Sequence, residues 1–555
     1  MPERLTGLEV PLSAPDQAAA LRAAAATRLG CPVGAVLAVE PTKRSLDARK
    51  RRDEAAWVFA AIVFRKGEEA ALAEHQAAAT LASTAAHPAF VRSRRATPSQ
   101  LRPLVVGTGP AGLFAALTFA EAGVPCTVLE RGKTLSERHV DVRTFRRRGE
   151  LDGDSNLCFG EGGSGTYSDG KLYTRKHHPL VRTVYERLVA FGATPDILVD
   201  AHPHIGTNKL YAILDGIRHQ LLERDVDVRF SAKMQDLWVV DGQLRGVILD
   251  SGEQVPGFPV VLATGHSARD VYAMLARRGV ALEQKPFAIG ARAEHPQELV
   301  DRVQLGAARL APGVGAAEYF LACKVGERGV YSFCMCPGGY VIPTPTEPGH
   351  LNVNGMSNSN RGGKFANAAL VVTVEPRDYF RERPGDLDDH GVLSGIAYQR
   401  AWERLAYEAG GGGYLAPAQR LTDLVAGRPS TTLPERTSFR PGIVAGDMAD
   451  VLPASVVEAL RAGVRDIDRR LLRGYLTEEA IIIGVETTTS SPVRVSRDAG
   501  RESPSHPGLY PTGEGAGFSG GIVSSCIEGV ESAWAALERY CGVQAGALLR
   551  AQSTG

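Results

Sequence analysis

The stretch RPLVVGTGPAGLFAALTFAEAGVPCTVLERG, residues 102–132, decides the fold. Leu104 to Val106 are a short apolar run and predict a buried strand. Gly107, Thr108, Gly109, Pro110, Ala111 and Gly112 follow as GxGxxG. Leu113, Ala116, Leu117 and Ala120 then recur at helical spacing, and Gly123 closes the helix. Cys126 to Leu129 predict a second strand that runs into Glu130 and Arg131. Each part has a physical job in such a unit. Gly107 permits a tight turn, Gly109 lets the backbone approach a pyrophosphate, and Gly112 lets helix and strand pack closely. The first helical turn, from Pro110 and Ala111, presents N–H groups and the positive end of the dipole to phosphates. Glu130 can accept hydrogen bonds from a ribose hydroxyl. Strand, glycine turn, helix, second strand and terminal acid stand in register, which predicts a Rossmann-type dinucleotide site.

The far end of the chain carries a second unit of the same kind. HPGLYPTGEGAGFSGGIVSSCIEGVESAWAALERY, residues 506–540, reads as strand, glycine-rich turn and helix. Ile522, Cys526, Ile527, Val530, Ala533, Trp534 and Leu537 share one helical face, so that helix packs on a sheet. Two glycine turns so far apart suit a long cofactor held at both ends. The second unit resembles the closing motif of FAD enzymes of the glutathione-reductase type. That resemblance implies contacts to FAD from Gly513, Glu514, Gly520, Gly521 and Ile522, with Glu514 standing where the motif usually has Asp. PVVLATGHSARD, residues 259–270, resembles the strand that returns from the crossover in these folds, and places Thr264 and Gly265 beside the dinucleotide. NLCFGEGGSGTYSDGKLYTR, residues 156–175, has glycines at 160, 162, 163, 165 and 170. Such a run is costly to order and suits a backbone that lies flat against a ring, with Gly162, Gly163 and Thr166 as contacts.

Together these stretches resemble the bacterial FAD-dependent dehydrogenases often called NAD(FAD)-utilising dehydrogenases. HIGTNKL, FAIGARAEHP, VYSFCMCPGGYVIP, NGMSNSNRGGKFANAALVVTV and GVETTTSSPVRV carry the likeness between the two glycine units, in the same order, over roughly residues 100–525. The resemblance implies bound FAD and redox chemistry, and supplies no substrate.

Length and composition bound the rest. A chain of 555 residues divides into two or three domains. A hydrophobic share of 44%, a charged share of 23% and a net charge of +1 fit a globular protein without the overall basic field that nucleic acid or an anionic membrane attracts. No apolar run approaches the roughly 20 residues of a membrane span. The N-terminus lacks a basic segment followed by an apolar one. Eight scattered cysteines with no CxxC fit a reducing cytoplasm and no metal site.

The expected organisation is α/β. Residues 1–98 form a small α+β domain, with a helix from Asp16 to Leu29, two strands around a basic turn, a helix from Glu68 to Leu81, and a linker rich in Pro, Ser and Arg over 87–103. Residues 99–285 and 480–555 form a three-layer Rossmann-type FAD domain. Residues 286–479 form an inserted, mainly antiparallel α+β substrate or cap domain. Its strands are expected in FAIGARAEHP, EYFLAC, VYSFCMC, GYVIPTP, HLNVNG and ALVVTV.

Flavin carries the reaction, so the chain's side chains have to position a donor and an acceptor. His266, after the ATG turn, is a candidate proton donor, and helix capping explains it equally well. Lys171, with Asp169, is a candidate flank for the flavin, and an ordinary ion pair is the bland alternative. Cys334 and Cys336 are redox candidates as reactive thiols, since a disulfide between residues two apart on a strand would be strained, weighed against small core residues. Arg361 and Lys364 can bind an anion or sit in a solvated turn. A second complete GxGxxG unit is absent, so NADPH or NADH enters only as a transient donor. The reading is a cytoplasmic FAD-dependent oxidoreductase, a dehydrogenase acting on a small molecule. The alternatives are a flavin monooxygenase using NAD(P)H and O2, and an RNA- or protein-binding module with a structural FAD and a basic hairpin at Lys43, Arg44 and Arg49 to Arg52.

Overall fold

Short apolar strands punctuated by glycine are buried on both faces here, as a parallel sheet between helices demands. The computed structural model describes residues 2–48, 55–83, 102–174, 176–311, 313–382 and 390–543. Five three-residue strands make a wholly parallel sheet in the order Leu509–Pro511, Val260–Leu262, Leu104–Val106, Thr127–Leu129, Asp227–Arg229. Its centre is the strand of the first glycine turn, and its edge neighbour comes from the far end of the chain. Helices Pro110–Glu121 and Ile522–Ala536 lie against each other on one face. Their crossing is tight because Gly529 sits on Ala111, where a Cβ would overlap the Ala111 carbonyl.

The second layer of the molecule is an eight-stranded sheet. Its order is Ala322–Val325, Arg328–Pro343, Phe365–Val374, Phe287–Pro296, Ile481–Glu486, Ala416–Arg420, Ile443–Ala445, with Val353–Met356 added to Arg328–Pro343. All pairs are antiparallel except the last, Ala416–Arg420 with Ile443–Ala445. VYSFCMC and GYVIP, expected as separate strands, form one 16-residue strand. The intervening Pro-Gly-Gly is absorbed as irregular register against Phe365–Val374. EYFLAC contributes only its last residues, in Ala322–Val325. Ile481–Glu486, expected on the FAD-domain side of residue 480, pairs with Phe287–Pro296 and Ala416–Arg420 instead.

The N-terminal region is a three-stranded antiparallel sheet, Glu3–Pro11, Ala56–Arg65, Val36–Asp47, covered by helix Gln17–Leu29. Asp16 caps that helix by accepting from the Ala19 N–H at 2.9 Å. The linker before residue 102 and the basic residues Arg49 to Arg52 lie outside the described residues. Arg44 is described: its N–H donates to the Val199 carbonyl and its guanidinium pairs with Asp200 at 2.7 Å, so it docks the small sheet on the FAD-binding part. A three-stranded meander, Met234–Val240, Gln243–Leu249 and Gln254–Pro256, was not expected. Its first turn is Asp241-Gly242, both at positive φ, which is the hairpin signal in the sequence.

Candidate active site

The glycines of the first turn divide into two kinds. Gly107, at φ 103°, makes the turn, and a Cβ there would overlap the Ala263 carbonyl. A Cβ at Gly112 would overlap the Gly107 carbonyl. Those two glycines are required by the protein itself. Gly109 is not: its φ of −66° suits any residue, and nothing lies within 4 Å of where its Cβ would stand. Gly520, before the second helix, is equally open. Open space over a glycine at two helix N-termini is a cradle for a ligand that needs the backbone bare.

That space belongs to one cavity of about 670 Å³, within the range of cofactor sites. Pro110 and Ala111 line it from the first helix, Gly521 and Ile522 from the second. Gly107, Gly109, Gly163, Thr264, Gly265, Gly513, Glu514 and Gly520 complete the glycine side. Three expected contacts stand behind the wall instead. Gly112 is packing, as described. Gly162 adjoins Thr166 and Leu214, and Thr166 is buried with its hydroxyl donating to the Glu161 carbonyl at 2.9 Å.

Glu130 and Arg131 both reach the cavity. The Glu130 carboxylate already accepts four bonds. The Thr108 N–H (2.9 Å) and hydroxyl (2.7 Å) reach one oxygen, and the Gly132 and Gly160 N–H groups (both 3.0 Å) reach the other. It ties the first glycine turn to the second glycine segment. Arg131 pairs with Asp270 at 2.9 Å and lies 4.4 Å over the Phe159 ring.

The glycine-rich segment is held by a residue the sequence reading missed. Arg138, fully buried, donates to the carbonyls of Asn156 (2.8 Å), Glu161 (2.6 Å) and Gly163 (2.9 Å). Its guanidinium fork therefore sets the loop from inside. The segment is not wholly irregular, since Gly163–Tyr167 closes one short 3-10 turn. The only sequence signal for Arg138 was an arginine on the buried side of an otherwise charged helix.

The opposite wall comes from the large sheet. Cys334, Asn354 and Arg361 line the cavity there, with Glu318 beside them. Asp169 is 1% exposed; one oxygen accepts from Arg361 at 3.2 Å and lies 3.6 Å from Lys171 Nζ, while Oδ1 has no protein partner. Arg361 continues to Glu318 at 3.6 Å, which His202 meets at 2.7 Å. Burial alone would raise the Glu318 pKa, but His202 and Arg361 outweigh it and hold the carboxyl below its usual range. For Lys171, burial pulls the ammonium pKa down. The neighbouring sulfurs of Cys336 and Cys334 and the carboxylates of Asp169 and Glu318 more than offset this and leave it raised. Lys364 is exposed and apart from this group. His266 meets Glu514 at 3.0 Å across the glycine side, so the two expected catalytic residues, His266 and Lys171, lie on one cavity but in different clusters.

Behind this wall, Arg292 is fully buried. It donates to Glu486 at 2.7 and 3.2 Å, to the Cys334 carbonyl at 2.9 Å, and to Asn367 and Asn354 at 2.8 Å each. All five guanidinium N–H groups are used. Burial raises the Glu486 pKa to about 7, against the lowering effect of Arg292. Arg292 and Glu486 were not anticipated, because a charged pair inside a strand is visible only once the register is known.

Comparison with known proteins agrees with this geometry. Residues 100–144 match a profile described as an FAD binding domain, and residues 286–489 match one described as a FAD-dependent protein, C-terminal domain-like. Residues 2–54 match a domain of unknown function. An uncharacterized protein of Clostridium beijerinckii is 40% identical over 504 residues, covering 90% of this chain and 92% of that protein. Among solved structures, the flavin-dependent brominase Bmp2 is 13% identical with a TM-score of 0.37, covering 81% of this chain and 82% of that one. A geranylgeranyl bacteriochlorophyll reductase-like protein of Thermoplasma acidophilum is 12% identical with a TM-score of 0.36, covering 79% and 78%. Scores this low carry no functional argument. The bare cradle between two helix N-termini fits FAD, and among the described residues no helix is long and apolar enough to cross a membrane. The chain belongs to one family with the Clostridium beijerinckii protein, a family of FAD-dependent proteins, and FAD is its cofactor.

Proposed function

We propose that this chain is an oxidoreductase of the dehydrogenase type, moving hydride or electrons between a small molecule and bound FAD. The observation that carries the reading is one continuous cavity. It runs from the bare glycine cradle to a wall of charged and thiol side chains on the large sheet, so cofactor and substrate can share one enclosure. FAD, when bound, supplies two-electron redox chemistry. The chain's own residues do the rest. The helix N-termini at Pro110 and Ile522 attract the anionic part of the cofactor, with Gly109 and Gly520 keeping the approach clear. Glu130, bonded to three backbone N–H groups and the Thr108 hydroxyl, keeps the two glycine segments in register. Lys171 keeps a positive charge on the substrate side, and the Asp169–Arg361–Glu318 chain holds it in place. Glu514 fixes one nitrogen of His266, leaving Nε2 to exchange a proton with a ligand.

The finer architecture is part of the same proposal. A glutathione-reductase-type FAD domain, expected at 99–285 and 480–555, carries an inserted substrate domain whose sheet runs on past residue 479 through Ile481–Glu486, with 1–98 as a separate unit. The parallel sheet closed by Leu509–Pro511 supports that arrangement. The test is an anaerobic titration of the FAD-loaded protein with NADPH, then NADH, following the flavin absorption band. Bleaching by either is the expected outcome for a nicotinamide donor. Failure of both, together with failure of a panel of small organic reductants, would sink the reading.

A further inference from the structure

The strand Arg328–Pro343 breaks its own rule at one place. Phe333 pairs with Ala369 and Cys336 with Asn367, so three steps on this strand face two on its neighbour. Cys334 takes up the extra residue at φ 46°, a conformation non-glycine residues rarely adopt. In a regular strand, residues two apart stand side by side on one face. Here the bulge folds them together: Cys336 Sγ lies 3.3 Å from the Cys334 carbonyl oxygen. Strain held in this way marks functional sites.

The two thiols are not equivalent. Cys334 lines the cavity, whereas Cys336 is fully buried and does not. Lys171 and Arg292 add positive charge, and Arg292 holds the Cys334 carbonyl at 2.9 Å. The neighbouring Cys336 thiol, with Lys171 and Arg292, outweighs burial and holds Cys334 well below the usual thiol range. The neighbouring Cys334 sulfur and burial push Cys336 up. Cys334, which faces the cavity, is therefore the more acidic thiol and the better nucleophile of the two. The same wall holds two buried polar atoms without a hydrogen-bond partner in the protein, Asp169 Oδ1 and Lys171 Nζ, the latter 3.6 Å from Asp169 Oδ2. One accepts and the other donates, which suits a ligand bearing both an ammonium and a carboxylate.

We propose that Cys334 and Cys336 are a dithiol–disulfide pair that exchanges with small disulfides carrying amino-acid end groups. The Cys334 thiolate attacks one sulfur of the disulfide, forming a mixed disulfide and expelling one thiolate. The Cys336 thiol then attacks the Cys334 sulfur. The second thiolate leaves, and the Cys336 proton goes to it. The pair is oxidised by two electrons and the small disulfide is reduced by two. This chemistry goes beyond hydride transfer and stands or falls separately from it.

The test is peptide mass spectrometry of the FAD-loaded full chain after reduction, desalting and incubation with cystine. Cys334 and Cys336 are expected in one peptide that has lost two hydrogens. In Cys336→Ser, Cys334 should instead accumulate one added cysteine. In Cys334→Ser, Cys336 should stay unmodified; flavin retained by both variants reports that the fold stands. Cystine should react about tenfold faster than bis(2-hydroxyethyl) disulfide, and Asp169→Asn should narrow that ratio. No mass loss in the wild-type peptide, or equal reaction of Cys336 without Cys334, overturns the pair. Equal rates with the uncharged disulfide overturn the ligand class.

Discussion

The two sides of the cavity are built on opposite principles. The cradle side is backbone: glycine turns, helix N-termini and three-residue strands. Its contacts lie close in sequence to the motifs that announce them. The opposite wall is side chain: Arg292, Glu486, Asp169, Arg361, Lys171 and two cysteines, gathered from strands and loops far apart in the chain. The cradle loses function when something is added to it. The wall loses structure when something is removed from it.

Four substitutions probe that contrast, from the largest effect down. Arg292→Met leaves Glu486 and two asparagines without their shared donor in a sealed sheet. We expect a loss of about 3–5 kcal/mol in denaturant unfolding. A loss under 1 kcal/mol would show that the wall does not depend on its buried ion pair. Gly109→Val adds bulk where the protein has no atom in the way. Unfolding of the FAD-free chain should move by less than about 0.5 kcal/mol, while FAD affinity falls by roughly 100-fold or more. Unchanged FAD binding would remove Gly109 from the cradle.

The third concerns pH. His295, fully buried beside Tyr475 with Nε2–H donating to its carbonyl at 2.8 Å, has its pKa lowered to about 4 by burial. Above the ordinary value of 6.5 neither folded nor unfolded chain holds the extra proton. Below it the unfolded chain takes up a proton that the folded one refuses. Stability therefore falls as pH drops from 6.5 toward 4, by up to about 3 kcal/mol. His295→Gln should flatten this part of the pH–stability curve, and an unchanged slope would assign the acid sensitivity elsewhere. The smallest effect belongs outside both walls. Arg44→Ala removes a half-exposed pair with Asp200 and should cost at most about 1 kcal/mol, measured by thermal unfolding.

Legibility followed the same division. The parallel sheet, both glycine helices and the cofactor were readable because each motif is contiguous and its glycines have local reasons. Gly107 and Gly112 read correctly as turn and packing residues. Glu130 was legible as the acid at the strand end, while its four donors were not, since Gly160 lies 30 residues away. Arg138 and Arg292 were illegible for one reason: a buried arginine and a surface arginine are the same letter until the acceptors around it are placed. The long strand through Cys334 read as two pieces because Pro-Gly-Gly ordinarily ends a strand, and here neighbouring strands on both sides carry it through.

The strand order of the parallel sheet has a consequence for the chain's birth. Val260–Leu262 waits for Leu509–Pro511, and the second glycine helix follows only after that strand. A ribosome that has finished the first glycine turn must still add some 400 residues before the cradle has its other half. At ordinary elongation rates that is tens of seconds. Cofactor loading thus waits out that interval, and the nascent chain passes through it with an open sheet edge and half a flavin site.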